Sequence, residues 1–328
     1  MKYGGIQMKK RIAALFLMCL LLSLAACGKK PASTDTGSAT QAAKTEAGTN
    51  QTEAATDTEP KTEPDTEPDT EPVPDTPALS FEEITVVDND DCLIRITGID
   101  AQNFWGYTLN VYLENKSSDK KYRFSVDGAS INGVSAEPLF SKEVAAGKKA
   151  TEEISFMDDS LPELLGDFTD IMLAFRVHDA DDWTADDIVT ETVHVYPFGE
   201  ENAVRYVRQP QDTDTVIVDN DDLTVTVTGY DPDSLWGYSV NLYLVNKTDK
   251  ALMFSVDDAS VNGLMSDPFF ATTVEAGTSA FSQLSWSDSE FEKNGITEVE
   301  EIEMNFRVYD ADDWGADNLF EETVKLNP

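Results

Sequence analysis

The sequence predicts an all-β protein in which two antiparallel β-sandwiches follow one another along the chain. Three observations predict it: an internal duplication of domain length, a hydrophobic period of two inside each copy, and turn signals at hairpin spacing between the periodic runs. Ile84 to Tyr196 aligns with Thr215 to Asn327 at an offset of 131 residues, so each copy spans 113 residues, a domain rather than a solenoid unit. Asp88-Asn89-Asp90-Asp91 recurs as Asp219-Asn220-Asp221-Asp222, and Trp105-Gly106-Tyr107 as Trp236-Gly237-Tyr238. After Lys116 the offset is 130, pairing Phe124-Ser125-Val126-Asp127 with Phe254-Ser255-Val256-Asp257 and Asn132-Gly133 with Asn262-Gly263. It returns to 131 for Phe175-Arg176-Val177 with Phe306-Arg307-Val308, and for Asp179 to Trp183 with Asp310 to Trp314.

Taken in order, residues 1–26 read as an address. Lys2, Lys9, Lys10 and Arg11 precede an apolar run from Ile12 to Leu22, too short for a membrane span, followed by Leu24-Ala25-Ala26-Cys27. Met8 serves as well as Met1 for the start. The small residues before the cysteine resemble the lipobox of bacterial lipoproteins, which implies that the signal peptide is removed and that Cys27, diacylated on sulfur, anchors the chain to the cell membrane on its extracellular side. Residues 27–78 are Thr, Glu, Asp, Ala, Pro and Ser with almost no large apolar residue, so they cannot bury enough surface to offset chain entropy. Thr58-Glu59-Pro60, Thr62-Glu63-Pro64, Thr66-Glu67-Pro68 and Thr70-Glu71-Pro72 repeat every four residues, which predicts a disordered, extended stalk.

The first sandwich is expected over 79–196 and the second over 215–328. Tyr107, Leu109, Val111 and Leu113 alternate with Thr108, Asn110, Tyr112 and Glu114; Tyr238, Val240, Leu242 and Leu244 repeat the pattern. Ile171, Leu173, Phe175 and Val177 alternate again, as do Ile302, Met304, Phe306 and Val308. Such runs bury one face and wet the other. Asn115-Lys116-Ser117, Asn132-Gly133 and Ala146-Gly147 mark hairpin turns. Short helical stretches are expected only near Leu161 to Leu165 and Phe291 to Lys293. The linker, 197–214, carries Arg205, Tyr206 and Arg208, a stretch unusually basic for this chain that either docks on an acidic face and restricts the hinge or belongs to a flexible connection.

Asn-Lys after a strand, Phe-Ser-Val-Asp, Asn-Gly and a Val-x-Ala-Gly-x turn (Val144 to Lys148, Val274 to Thr278) resemble the tandem immunoglobulin-like (telokin-like) domains of lipid-anchored surface proteins in Gram-positive bacteria. The resemblance covers both copies and implies an immunoglobulin-like fold. Those domains are mostly of unassigned function, so it implies no catalytic residue.

Charge narrows the function. The 328 residues carry 24 Lys+Arg against 62 Asp+Glu, a net charge of −38, and loss of residues 1–26 leaves 20 against 62, or −42. Such a surface repels phosphate backbones, which excludes nucleic-acid partners, and leaves no basic patch for anionic lipid. Two histidines, His178 and His194, have Tyr309 and Lys325 as counterparts, so neither role is shared between the copies. Cys19 leaves with the signal and Cys27 is blocked by lipid, leaving Cys92, opposite Leu223, as a buried small hydrophobe with no disulfide partner. The chain is expected not to be an enzyme; a carboxylate pair for hydrolysis has little cleft to work in.

Two features carry candidate chemistry. The loop with Asp179, Asp181, Asp182 and Asp186, echoed by Asp310, Asp312, Asp313 and Asp317, clusters the hard oxygen donors that calcium prefers; alternatively these are solvated turns whose carboxylates bond nearby amides. Asp310, Asp312, Gly315 and Glu321 match four EF-hand positions, but Trp314 stands at the fifth position and no flanking helices are expected. The Asp88 to Asp91 and Asp219 to Asp222 segments read as turns; they would complete a cation's coordination only if they share an end of the sandwich with the acidic loops. Trp183, Trp314, Trp105 and Trp236 are platforms for a sugar face if exposed, and end or core plugs if buried. Trp286, in place of Phe156, reads as core. The function expected is a lipid-anchored, non-enzymatic binding or spacer module facing a cell-wall or extracellular glycan or protein ligand, with a calcium-assisted carbohydrate-binding protein and an enzyme or accessory subunit as the alternatives.

Overall fold

A computed structural model of the chain describes residues 79, 81–157, 161–313 and 315–328, so the segments expected as signal peptide and stalk, with Cys27, lie outside the described residues. The described part is all-β. In repeat 1, strands β1 (Ile84–Asp88), β2 (Cys92–Asp100), β3 (Tyr107–Asn115) and β7 (Lys149–Phe156) form one sheet in that order. Strands β5 (Val134–Ser135), β4 (Tyr122–Ile131), β8 (Ile171–Asp179) and β9 (Val189–Val195) run side by side in a second, with β6 (Ser141–Val144) against β4. Repeat 2 has the same plan: β10 (Thr215–Asp219), β11 (Leu223–Ser234), β12 (Gly237–Asn246) and β16 (Ser279–Trp286) form one set. The other is β14 (Leu264–Met265), β13 (Leu252–Val261), β17 (Ile302–Asp310) and β18 (Phe320–Leu326), with β15 (Ala271–Val274) against β13.

Each repeat has its own core. Ile94, Ile96, Leu109, Val111 and Ile154 from one sheet meet Phe124, Ile131, Leu173, Phe175 and Val177 from the other, and Val225, Val240, Leu242 and Leu284 meet Phe254, Val261, Met304, Phe306 and Val308. Each such side chain stabilises by about 1.5–3 kcal/mol when fully buried. The alternation breaks at Thr108 and Ser239, expected on the wet face yet fully buried, where their hydroxyls pair with Ser155 and Ser285 at 2.9 Å. Trp286 is core, its indole N–H donating to Ser266 O at 2.8 Å. Both short helices form, α1 at Leu161–Leu165 and α2 at Asp288–Asn294.

The two repeats do not hydrogen-bond as wholly separate units. A single parallel bridge, Ser279 to Val134, joins β16 to β5, so one nine-stranded sheet carries strands of both. The linker is docked. Val204 N–H donates to Thr169 Oγ1 at 3.0 Å and Tyr206 N–H to Asn132 O at 2.8 Å on repeat 1. Toward repeat 2, Tyr206 packs edge-on to Phe281, and Arg208 sits over the Tyr243 ring while binding Asp214 through both guanidinium nitrogens at 2.7 and 2.8 Å. The docking surface is thus aromatic, and the carboxylate that Arg208 meets belongs to the linker itself. Half-buried Glu275 of repeat 2 closes over Gly128 of repeat 1; burial, with Asp312 and Asp127 nearby, pushes its carboxyl above the usual range.

Candidate functional site

Strand register places the acidic segments. Tyr122 pairs with Asp179 and Cys92 with Asn115, so the β1–β2 turn, the loop after β3 and the β8–β9 loop share one end of repeat 1. Leu223 with Asn246 and Leu252 with Asp310 repeat this in the second copy. At that end lysines meet the carboxylates. Asn89 Oδ1 accepts from the amides of Asp91 and Cys92, and Lys116 Nζ donates to Asp88 at 2.6 Å and Asn89 O at 2.5 Å. The second copy is alike: Asn220 Oδ1 caps Asp222 and Leu223, and Lys247 reaches Asp219 at 2.7 Å and Asn220 O at 2.6 Å. The repeated acidic turn is therefore an Asx turn clamped by the lysine of the Asn-Lys motif.

The calcium candidates follow the same pattern. Asp179 lies 3.2 Å from Lys120 and accepts from the Asp181 amide; its pKa is lowered by that amide first and by Lys120 next. Asp310, the counterpart, receives Lys250 at 2.6 Å and the Asp312 amide at 3.0 Å, and Lys250 leads in lowering its pKa. Asp181 pairs with Lys121 at 3.2 Å; Asp182 accepts from the Thr184 hydroxyl and amide; Asp313 caps Gly315; Asp186, Asp312, Asp313 and Asp317 are exposed. An open cleft of about 460 Å³ lies beside Asp222, Asp249, Lys250, Asp310 and Asp317. Among the described residues, no three His, Cys, Asp or Glu side chains converge as metal ligands. Because ammonium groups already sit against the first carboxylate of each loop, millimolar calcium is expected to leave the melting temperature unchanged. A calcium-specific rise, removed by Asp181→Asn with Asp312→Asn, would overturn this and restore the calcium reading.

Trp183 is 85% exposed, Trp236 64% and Trp105 47%; Trp314 lies outside the described residues. Trp105 and Trp236 belong to the β2–β3 and β11–β12 loops; within repeat 1, Trp105 lies at the end opposite Trp183, separated from it by a nine-residue strand of roughly 30 Å. The structure therefore does not bring Trp105 and Trp183 together on one platform. Trp105 packs edge-on against exposed Phe104 at 5.0 Å. Within the Trp-Gly-Tyr motif only the tryptophan is left to solvent, because Tyr107 and Tyr238 enter the cores and the glycines lie against strand ends.

Cys92 is fully buried, and burial raises its thiol to about 11, which makes it inert at neutral pH. His194 Nδ1 lies 2.7 Å from Asp170 and its ring stacks on Tyr196, while His178 faces Arg123 across the β4–β8 ladder. These two histidines share no site.

Asn115 and Asn246, which the sequence marks only as turns, are buried, and each donates Nδ2 to a loop carbonyl (Lys120 or Lys250) and a strand-end carbonyl (Val144 or Val274). Buried Asn132 and exposed Asn262 brace turns at the other end, collecting the Thr169 and Asp170 amides and the Glu300 and Glu301 amides on Oδ1. Their recurrence in both copies was the signal available in the sequence.

No protein-family model matches the chain, and no curated protein is significantly similar to it. Among solved structures it is similar to the YadV chaperone, at 13% identity over 67% of this chain and 92% of that one with a TM-score of 0.23. It is also similar to red sea bream transglutaminase, at 13% identity over 70% of this chain and 31% of that one with a TM-score of 0.18.

Proposed function

We propose that the chain is an exported, lipid-anchored, non-enzymatic spacer that holds two immunoglobulin-like sandwiches, bounded at 79–196 and 215–328, in a fixed relation outside the cell membrane. One observation carries the reading: the linker is docked, with backbone bonds to repeat 1, aromatic contacts to repeat 2 and a strand bridge between them. A tether needs none of these contacts, since polar linkers stay flexible by default. Most of the polar motifs repeated in both copies go to clamping turns, which fits a scaffold better than a reaction centre. Cys27 supplies the anchor and residues 27–78 the stalk that lifts the sandwiches off the bilayer.

The test is a distance measurement. Spin labels on exposed Lys148→Cys and Lys293→Cys in the full mature chain are expected to give one narrow distribution, which broadens in Tyr206→Ala with Arg208→Ala. A broad distribution in the parent chain would remove the spacer reading. The same labels report a pH effect. Arg208 first, then the Gln211 amide, lowers the Asp214 carboxyl from its ordinary 3.8 to about 2. The contribution of this pair to docking is therefore complete above about pH 4 and is lost as pH falls through 2. The distribution is expected to stay narrow from pH 7 to 4 and to broaden below that; broadening already at pH 5 would assign the docking to another group. For the anchor, Cys27→Ser is expected to release the protein from the membrane fraction.

A second reading keeps the exposed tryptophans as contacts for an extracellular glycan or protein. Trp183, Trp236 and Trp105 are open to solvent, as stacking on a ligand requires.

A further inference from the structure

The two repeats present the same turn to different surroundings. On repeat 1 the Asn132-Gly133-Val134 turn is covered: Tyr206 N–H donates to Asn132 O at 2.8 Å, Ser279 N–H donates to Gly133 O at 2.9 Å, and the Arg205 side chain lies over Gly133. Val134 is 1% exposed. On repeat 2 the backbone is the same, with Asn132 and Asn262 at φ 53 and 52 and their glycines at φ 79 and 75. Yet nothing lies within 4 Å of the Cβ position of Gly263, and Leu264 and Met265 are 45% and 64% exposed.

A turn left in water is expected to be polar. Here the difference runs the other way. Leu264 stands for Val134 and Met265 for Ser135, so the open copy of the turn is more apolar than the covered one. The rim is acidic: the 298–301 segment wraps Asn262, whose Nδ2 donates to Glu298 O and whose Oδ1 accepts from the Glu300 and Glu301 amides. Glu301 pairs with Lys325, while Glu298 and Glu300 have no cationic partner among the described residues. An exposed apolar turn beside this glutamate-rich segment is complementary to an extended segment bearing arginine and an aromatic ring.

We propose that the Asn262–Met265 turn of repeat 2 is a docking surface for an extended basic segment of a partner protein, which lies on it as Val204–Tyr206 lies on repeat 1. A backbone N–H of the partner would meet the Asn262 carbonyl, as that of Tyr206 meets Asn132, and its arginine the Glu298 and Glu300 carboxylates. A second copy of this chain is the poorer occupant: its net charge repels, and its own arm is engaged at Asn132. The inference extends the spacer reading to the exposed turn of repeat 2 without depending on it, since failure here leaves the stiffness of the junction untouched.

The chain supplies its own probe. A peptide of residues 203–209, with blocked ends, is titrated into the full mature protein while backbone amide shifts are followed. Saturable shifts are expected at 262–265, with affinity falling tenfold or more in Leu264→Ser with Met265→Ser, and again when both peptide arginines are replaced by glutamate. Absence of shifts at 262–265, shifts confined to 132–134, or equal binding of a scrambled peptide would overturn the proposal. Sedimentation of the protein alone covers the other occupant: a concentration-dependent dimer lost in the Leu264→Ser, Met265→Ser variant would assign the turn to a second copy and overturn the partner assignment.

Discussion

Gly237→Ala is expected to cost repeat 2 about 4 kcal/mol or more and to lower its melting temperature by roughly 15 °C or more, if repeat 2 folds at all. The residue sits at φ 93, where a side chain is strained, but conformation is the smaller part of the effect. A Cβ at this position would lie 2.2 Å from Trp286 O and 2.9 Å from the Asp288 amide nitrogen, both backbone atoms. Neither can move alone: Trp286 ends β16 and fills the core, and Asp288 begins α2. Gly106, with Phe156 O at 2.0 Å, is the matching position in repeat 1 and is expected to behave alike. Gly263→Ala supplies the control, because its φ of 75 is also positive while its surroundings are open; about 1 kcal/mol is expected there. Thermal unfolding of the three variants decides it. Equal, small losses at Gly237 and Gly263 would show that the close approach to β16 is not a constraint.

These glycines show what the sequence could and could not say. The duplication exposed nearly every element, because period two and turn residues are local properties and two copies repeat them. It also exposed Trp-Gly-Tyr, Asn-Lys, Asn-Gly and the acidic turn as a group. What it could not distinguish was why each recurs, since a residue kept for packing and one kept for a ligand recur equally. The lysines resolve the acidic turns, and they act across 28 residues, from Lys116 to Asp88 and from Lys247 to Asp219, a separation at which local pattern is silent. The junction was the least legible part. Ser279 bonds Gly133, whereas its counterpart Lys149 pairs with Glu114; Arg205 and Tyr206 have no counterpart within either copy. A reading built on repetition cannot see contacts that exist once. Thr108 and Ser239 were missed for a related reason: alternation assigns a face, while burial at a strand end depends on which hydroxyl stands opposite in the next strand.

Asn246→Ala carries the other large expected effect, a loss of about 3–5 kcal/mol from repeat 2 with little change in shape. The side chain is 1% exposed and fully committed. Its Nδ2 donates to the carbonyls of Lys250, Val274 and Glu275 at 2.7, 2.8 and 3.0 Å, and its Oδ1 accepts from the amide and hydroxyl of Thr248. Truncation strands the buried Val274 carbonyl, at about 1–3 kcal/mol, and removes the part-buried bonds to the Lys250 carbonyl and the Thr248 amide, worth about 0.5–1.5 kcal/mol each. Asn246→Asp separates hydrogen bonding from volume: the carboxylate fills the same space but turns acceptors toward three carbonyls, so it is expected to be at least as damaging as alanine at neutral pH. Its loss should shrink in acid as the new carboxyl takes up a proton and regains one donor. The same amide fixes the loop that presents Lys250 to Asp310 and the turn that presents Glu275 to Gly128. Denaturant unfolding of both variants tests the assignment. If aspartate were tolerated as well as asparagine at pH 7, the side chain would be filling space rather than pinning those carbonyls, and the repeated Asn-Lys motif would need another explanation.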